Sequence, residues 1–346
     1  MTFLVRSIAA LAVALAIAEP VHAQWISQTS GTDAELRGLS VVSPEVAWAS
    51  GQRGTVLRTT DGGRTWKTDT IPGASKLDLR SIAATSADVA HALSIADSGR
   101  VFRTTDGGRT WSQRFMSLRK GSFFDAIRFW DARHGIAVSD PVDGRFLLIT
   151  TSDGGDSWNE VSTTALPLAL PNEGAFAASG SCLTVHGSSD VWFVTGGATV
   201  ARIFHSADRG KSWTVHDTPI RAGSAPEGIF SVAFQDAKHG VIAGGDYTKA
   251  KLGGRNLALT SDGGATWTLV DSASSPAGFK SAVAYVPGTS GKRLVAVGLS
   301  GTDESSDGGM HWVSRDTVPY NSVQLAGKTG YVAGPKGRVA RYSPGH

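Results

Sequence analysis

The sequence predicts an all-β chain folded as a seven-bladed propeller of four-stranded antiparallel blades. Three observations predict it. An octapeptide ending in tryptophan recurs six times along the 346 residues. Short strand-like runs flank every copy. A last set of strands near the C-terminus lacks its fourth member, and the segment at Trp25 supplies one.

The octapeptide is TTDGGRTW at 59–66 and again at 104–111. It returns as TSDGGDSW (151–158), SADRGKSW (206–213), TSDGGATW (260–267) and SSDGGMHW (305–312). Its aspartates are Asp61, Asp106, Asp153, Asp208, Asp262 and Asp307, spaced by 45, 47, 55, 54 and 45 residues. A period near 45 is that of one four-stranded blade. The tryptophans are Trp66, Trp111, Trp158, Trp213, Trp267 and Trp312.

Runs such as Thr55–Arg58 and Val101–Arg103 precede the boxes, and polar-alternating runs such as Trp66–Asp69 follow them. Alternation between turn signals reads as half-buried strands, so the octapeptide is the hairpin between a blade's third and fourth strands. Its glycines accept φ > 0. Its aspartate accepts hydrogen bonds from the N–H groups of its own turn. Its tryptophan buries a large ring against the hairpin. Six equivalent acids spaced around a ring cannot serve one active site, so the motif is structural. After the sixth copy come Ser322–Leu325, Gly330–Ala333 and Gly337–Arg341, and the N-terminal run Trp25–Thr29 completes a seventh blade. Such closure removes the free strand edges of an open array.

The pattern S/T-x-D-x-G-x-S/T-W is identified as the Asp box, or bacterial neuraminidase repeat. Together with F-x-D-x-x-x-G elements at Phe129–Gly135 and Phe234–Gly240, it resembles the photosystem II stability/assembly factor-like propellers. That resemblance covers residues 24–346 and implies a non-catalytic propeller that binds a protein partner, such as an exported or membrane complex. Asp boxes also occur in sialidases, xyloglucanases and sortilin-type receptors, so the motif fixes architecture before function.

Residues 1–23 read as a secretory signal peptide: Arg6 is the basic region, Ser7–Ala18 the short apolar run, and Val21-His22-Ala23 the cleavage site. The expected mature chain is a single domain, 24–346, periplasmic or extracellular and not membrane-spanning. The net charge of +3, without any long basic run, gives no support to nucleic-acid binding. The lone Cys182 excludes an intramolecular disulfide and reads as a buried thiol. No cofactor motif is found. His134 and His239 are equivalent turn residues, and His205 and His216 lack ligand spacing, so no metal site is expected.

In an antiparallel blade the 4→1 and 2→3 connections share the face opposite the Asp boxes. The innermost strands begin there with Arg37, Arg80, Asp125, Phe230, Lys280 and Asn321, and with Gly180 in the fourth blade. Arg37, Arg80 and Lys280 would make an electropositive entrance for an acidic peptide or other anionic ligand. Irregular connections on the same face, 163–175, 219–228 and 246–255, add Arg221 and Lys249 as binding candidates. The alternative function is a glycoside hydrolase, which needs two carboxylates across a cleft. Glu173, Glu227, Asp140, Asp143 and Asp246 are its candidate acids, with Tyr247 the loop tyrosine available as a nucleophile or base. The Arg-Ile-Pro element that opens sialidase domains is absent.

Overall fold

The computed structural model describes residues 24–343 except 96, 97, 163 and 165; the expected leader, 1–23, lies outside the described residues. Twenty-eight strands, β1 to β28, form seven four-stranded sheets. The first blade is β2 (Leu36–Val41), β3 (Ala47–Gly51), β4 (Thr55–Thr59) and β5 (Lys67–Thr70), paired in that order. Each further blade repeats this meander, as the repeat requires. The seventh is closed by β1 (Gln24–Gln28), antiparallel to β28 (Val339–Ser343) in the register Gln24↔Ser343 to Gln28↔Val339. Trp25 anchors the closure: its ring lies 5.2 Å from Tyr342 and 6.0 Å from Tyr320, and its indole N–H donates to Thr302 Oγ1 at 3.1 Å.

Burial runs from the axis outward. The second strands Ala47–Gly51, Ala90–Leu93, Gly240–Asp246, Leu294–Gly298 and Thr329–Ala333 are buried along their whole length. They are rich in Ala, Gly and Val because a neighbouring blade covers each face, and a continuous apolar run is the signature of such a strand. The outermost strands, such as β5 and Ser112–Met116, are mostly exposed. The apolar core therefore lies between blades: one cluster joins Leu36, Leu39 and Leu57 of the first blade to Tyr331 and Val339 of the seventh.

A collar of serines and amides ties the innermost strands together. Asn321 Nδ2 donates to Leu36 O, Ala84 N to Ser40 Oγ, and Ile127 N to Ser81 Oγ. Ser181 Oγ donates to Ser231 Oγ, Val283 N to Ser231 Oγ, and Ser281 Oγ to Asn321 O.

Each Asp box forms one repeated network. In the first, Thr65 N (3.0 Å) and Thr65 Oγ1 (2.6 Å) donate to the Asp61 carboxylate, while Gly63 N donates to Thr59 Oγ1 at 2.9 Å. The hydroxyl and N–H of Thr65 hold the Asp61 carboxyl down to about 2, and Thr110 does the same for Asp106. The structure adds a contact absent from the sequence reading. The tryptophans of the first three boxes reach the preceding blade: Trp66 lies edge-on to Tyr331 (5.6 Å), Trp111 to Trp48 (6.1 Å) and Trp158 to His91 (6.5 Å). The box glycines allow this approach. A β-carbon on Gly155, which has φ +78°, would stand 2.4 Å from His91 Nε2.

Candidate functional site: the channel mouth opposite the Asp boxes

The 4→1 and 2→3 connections meet over the channel and enclose a cavity of about 320 Å³. The beginnings of the innermost strands supply Arg37, Arg80, Phe230 and Asn321; the fifth blade's 2→3 loop supplies Tyr247. These five residues, all expected on this face, come together. Four larger apolar side chains, Phe123, Phe176, Phe279 and Leu299, stand in the wall beside Ala175, Ala177, Ala178 and Ser281. Phe176 stacks on Phe230 with centroids 3.8 Å apart, and Phe279 meets Phe230 edge-on at 4.7 Å. Tyr247 is 47% exposed and stands 6.0 Å from Phe230.

The two arginines are oriented by their own strands' acids. Arg37 Nη2 donates to Glu35 Oε1 at 2.5 Å and Nη1 to Ala178 O at 3.2 Å; Arg80 Nε donates to Asp78 Oδ2 at 2.8 Å. Burial lowers the Arg37 pKa, and the nearby Arg80 charge acts in the same direction against Glu35. Two guanidinium groups thus share one rim, each with donor capacity left over. No Asp or Glu lines this cavity among the described residues.

Other candidates lie elsewhere. Lys280, expected at the entrance, is fully buried: its ammonium pairs with Asp303 and donates to Gly301 O at 3.0 Å and Ser300 Oγ at 3.1 Å. It locks the sixth blade and presents no charge to the mouth. Asp125 is also fully buried, and neither carboxylate oxygen meets a well-aligned donor among the described residues; burial, with Asp140 beside it, pushes its pKa well up. It lies beneath the surface of the mouth. Asp140 accepts from Ala175 N at 2.8 Å and is pushed up to about 6 by burial.

The proposed acid Glu173 is consumed by structure. Its carboxylate is out of contact with solvent, paired with Arg202, and accepts from Thr195 Oγ1 at 2.6 Å and Leu170 N at 2.8 Å. Nothing is left to meet a substrate. Asp246 is buried and accepts from Thr248 N (2.9 Å) and Thr248 Oγ1 (2.6 Å), with Lys249 Nζ 3.2 Å away. Lys249 is exposed, but its ammonium is turned to that turn. Arg221 Nη2 donates to Gly253 O and Gly254 O, and Arg255 Nε returns a bond to Pro219 O. Arg221 therefore clasps two long loops. Glu227 opens a strand, half-buried, outside the cavity wall. His134 and His239 each bond the aspartate of their own turn, and no cluster of three metal-binding side chains occurs among the described residues.

The phenylalanines had a faint signal. Phe279 immediately precedes the aligned Lys280, and Phe123 stands just before the strand carrying Asp125, so aromatic residues recur where inner strands begin. Phe176 had none, because its loop has no counterpart in the other blades.

Six large apolar side chains stand exposed on this same set of connections: Leu118, Leu168, Tyr247, Leu252, Leu299 and Val318. With this geometry, residues 17–113 match the family model described as photosynthesis system II assembly factor YCF48. The chain is a seven-bladed propeller similar in fold to YCF48. A solved YCF48 bound to a D1 peptide superposes on it with a TM-score of 0.66 at 18% identity, over 92% of this chain and 94% of that one. The YCF48 of Cyanidioschyzon merolae gives 0.66 at 20%, over 92% and 98%. The GH74 xyloglucanase of Xanthomonas campestris gives 0.62 at 16%, over 92% of this chain and 53% of that one. At such identities these neighbours share the fold of this chain and nothing finer. No curated protein matches its sequence.

Proposed function

We propose that this YCF48-like propeller is a non-catalytic scaffold that binds a protein partner during assembly of a larger complex. The observation that carries the reading is the mouth itself: two arginines, Arg37 and Arg80, on the rim of a cavity walled by phenylalanines and Tyr247 and free of lining carboxylates. A cation pair over an aromatic pocket suits a peptide segment that presents an acidic group beside an apolar side chain. Four further exposed apolar residues on the same connections, Leu118, Leu168, Leu252 and Val318, extend the contact surface. The D1 peptide bound to a solved YCF48 supports a protein ligand for a propeller of this shape. A glycosidase would instead need an accessible carboxylate pair, and Glu173 and Asp246 are occupied by structural bonds. The leader-like residues 1–23 support a site of action outside the cytoplasm.

The test is affinity capture from envelope extracts with the mature chain, followed by direct titration of the captured partner's acidic segments. The wild type is expected to retain one partner reproducibly, and the Arg37→Glu/Arg80→Glu double variant to lose it. Equal capture by a folded double variant would remove this face from consideration.

A further inference from the structure

The other end of the channel holds a second feature that the mouth does not use. Toward the Asp-box face the channel widens into a cavity of about 570 Å³, lined by the lower halves of the inner strands and by the 1→2 turns at Gln235 and Pro287–Gly291. A smaller lobe of about 340 Å³ lies on the side of the first and second blades. Arg128 and Gln324 belong to the walls of both. Arg128, from the third blade's inner strand (Phe124–Phe129), therefore stands between the two lobes.

It differs from the arginines of the mouth. The mouth arginines are paired with Glu35 and Asp78, and Arg202 with Glu173. Arg128 forms no ion pair among the described residues; its one hydrogen bond runs from Nη1 to Ile127 O, within its own strand. No Asp or Glu lines either lobe except Asp131, at the rim of the smaller one, which is already engaged with His134. Burial brings the Arg128 pKa down to about 10, so the group is still cationic at neutral pH. Asp125, three residues earlier in the strand, is pushed toward its neutral form and does little to offset that charge.

The rest of the wall offers hydrogen-bonding groups without protein partners. The side chains of Thr184, Gln235 and Tyr285 line the larger lobe and make no side-chain hydrogen bond among the described residues. Gln324 spends only its carbonyl oxygen, accepting Val41 N at 2.6 Å, which leaves its amide N–H₂ free. Arg128 is half-buried, and a guanidinium facing a cavity without a counter-charge can hold an oxyanion through two parallel N–H···O bonds. The volume is in the range of small-molecule sites.

We propose that the Asp-box end of the central channel is a binding site for a small oxyanion, a carboxylate or a phosphate, with Arg128 as its anchoring cation. This site is separate from the mouth and does not rest on the partner-binding reading.

Calorimetric titration of the mature chain with inorganic phosphate and, separately, with succinate, in low-chloride buffer at constant ionic strength, tests it. Saturable one-to-one binding of at least one anion is expected, and the stronger of the two tells phosphate from carboxylate. Arg128→Gln is expected to weaken it at least tenfold, and Arg37→Glu/Arg80→Glu to leave it unchanged. No saturable binding of either anion, or equal binding by Arg128→Gln, overturns the proposal. Should Arg128→Gln not fold, Arg128→Lys keeps the charge but loses the planar fork. Binding several-fold weaker is then expected, and wild-type affinity in that variant overturns it equally.

Discussion

His91 of the second blade and Gly154 of the third are joined across the blade boundary: the imidazole Nε2 lies 2.9 Å from the Gly154 carbonyl oxygen. A carbonyl only accepts, so Nε2 carries the proton. The ring is fully buried and stacks on Phe129 at 4.3 Å. Burial brings its pKa from 6.5 to about 4. Between those values the unfolded chain takes up a proton that the folded chain refuses, so stability falls as pH drops from 6.5 and levels off below 4. The full drop is on the order of 3 kcal/mol. Asp140, raised to about 6, contributes with the opposite sign. The comparison of urea midpoints for the wild type and His91→Phe across pH 7.5 to 4.5 isolates the histidine. The wild type should show the steeper loss; parallel profiles would contradict the assignment.

The Asp boxes make a separate prediction. Thr104 Oγ1 accepts the buried Gly108 N–H at 3.0 Å and donates to Asp106 at 2.9 Å. Thr104→Val keeps the shape and strands that N–H, at a cost of about 1–3 kcal/mol. Because the carboxyls of Asp61, Asp106 and Asp262 titrate near 2 in the folded chain, their contribution is complete above the usual carboxylate range and is lost as pH falls toward 2. Denaturant melts of Thr104→Val at neutral pH should show the destabilisation in full.

Glu173 and Arg202 are predicted to matter for stability alone. Breaking a buried pair by removing one partner costs about 3–5 kcal/mol, since the remaining charge stays buried. Glu173→Gln should lower the melting temperature markedly, whereas Glu227→Gln, half-buried and outside the cavity wall, should change it little. A Glu173→Gln protein that melts like the wild type would show that the acid is available for other work.

At the mouth, Tyr247→Ala removes an exposed ring from the cavity wall without opening the core. It should weaken partner binding at least tenfold and leave the melting temperature within about a degree, as surface changes usually do. Arg80→Glu should act mainly on the association rate and make binding less salt-sensitive. Surface plasmon resonance at two salt concentrations separates the two effects.

The ring was legible in the sequence because each blade writes its own turn: six aspartates at blade spacing, and a tryptophan at 25 where the seventh blade lacks a fourth strand. The mouth was legible where it uses the repeat, at Arg37, Arg80, Phe230 and Asn321, and at Tyr247, whose loop stood out by its length. Lys280 occupies an equivalent position and yet turns inward, because Asp303 on the third strand of its blade offers a buried partner. Nothing in the linear order shows that pairing. Glu173 and Arg221 are alike in this respect. Both sit in irregular loops that read as exposed, and both are spent in holding those loops against their neighbours. The inter-blade contacts of the box tryptophans were hidden for a related reason. A repeat reveals what recurs within a unit, while the partner of each ring varies from Tyr331 to Trp48 to His91.

The pairing of β1 with β28 sets an order of events for the molecule's making. The strand that emerges before any blade is complete pairs, among the described residues, with β28, a strand made after all six other blades. Throughout synthesis, six blades accumulate as an unclosed arc whose two ends present uncovered apolar blade faces. The long loop closed by that final step is entropically costly and slow compared with forming any single blade. Until then the growing chain is exposed to mispairing with its neighbours. Once the circle is fastened, that clasp is one place where it can open, and loosening the contacts of Trp25 should shorten the half-life of the native protein.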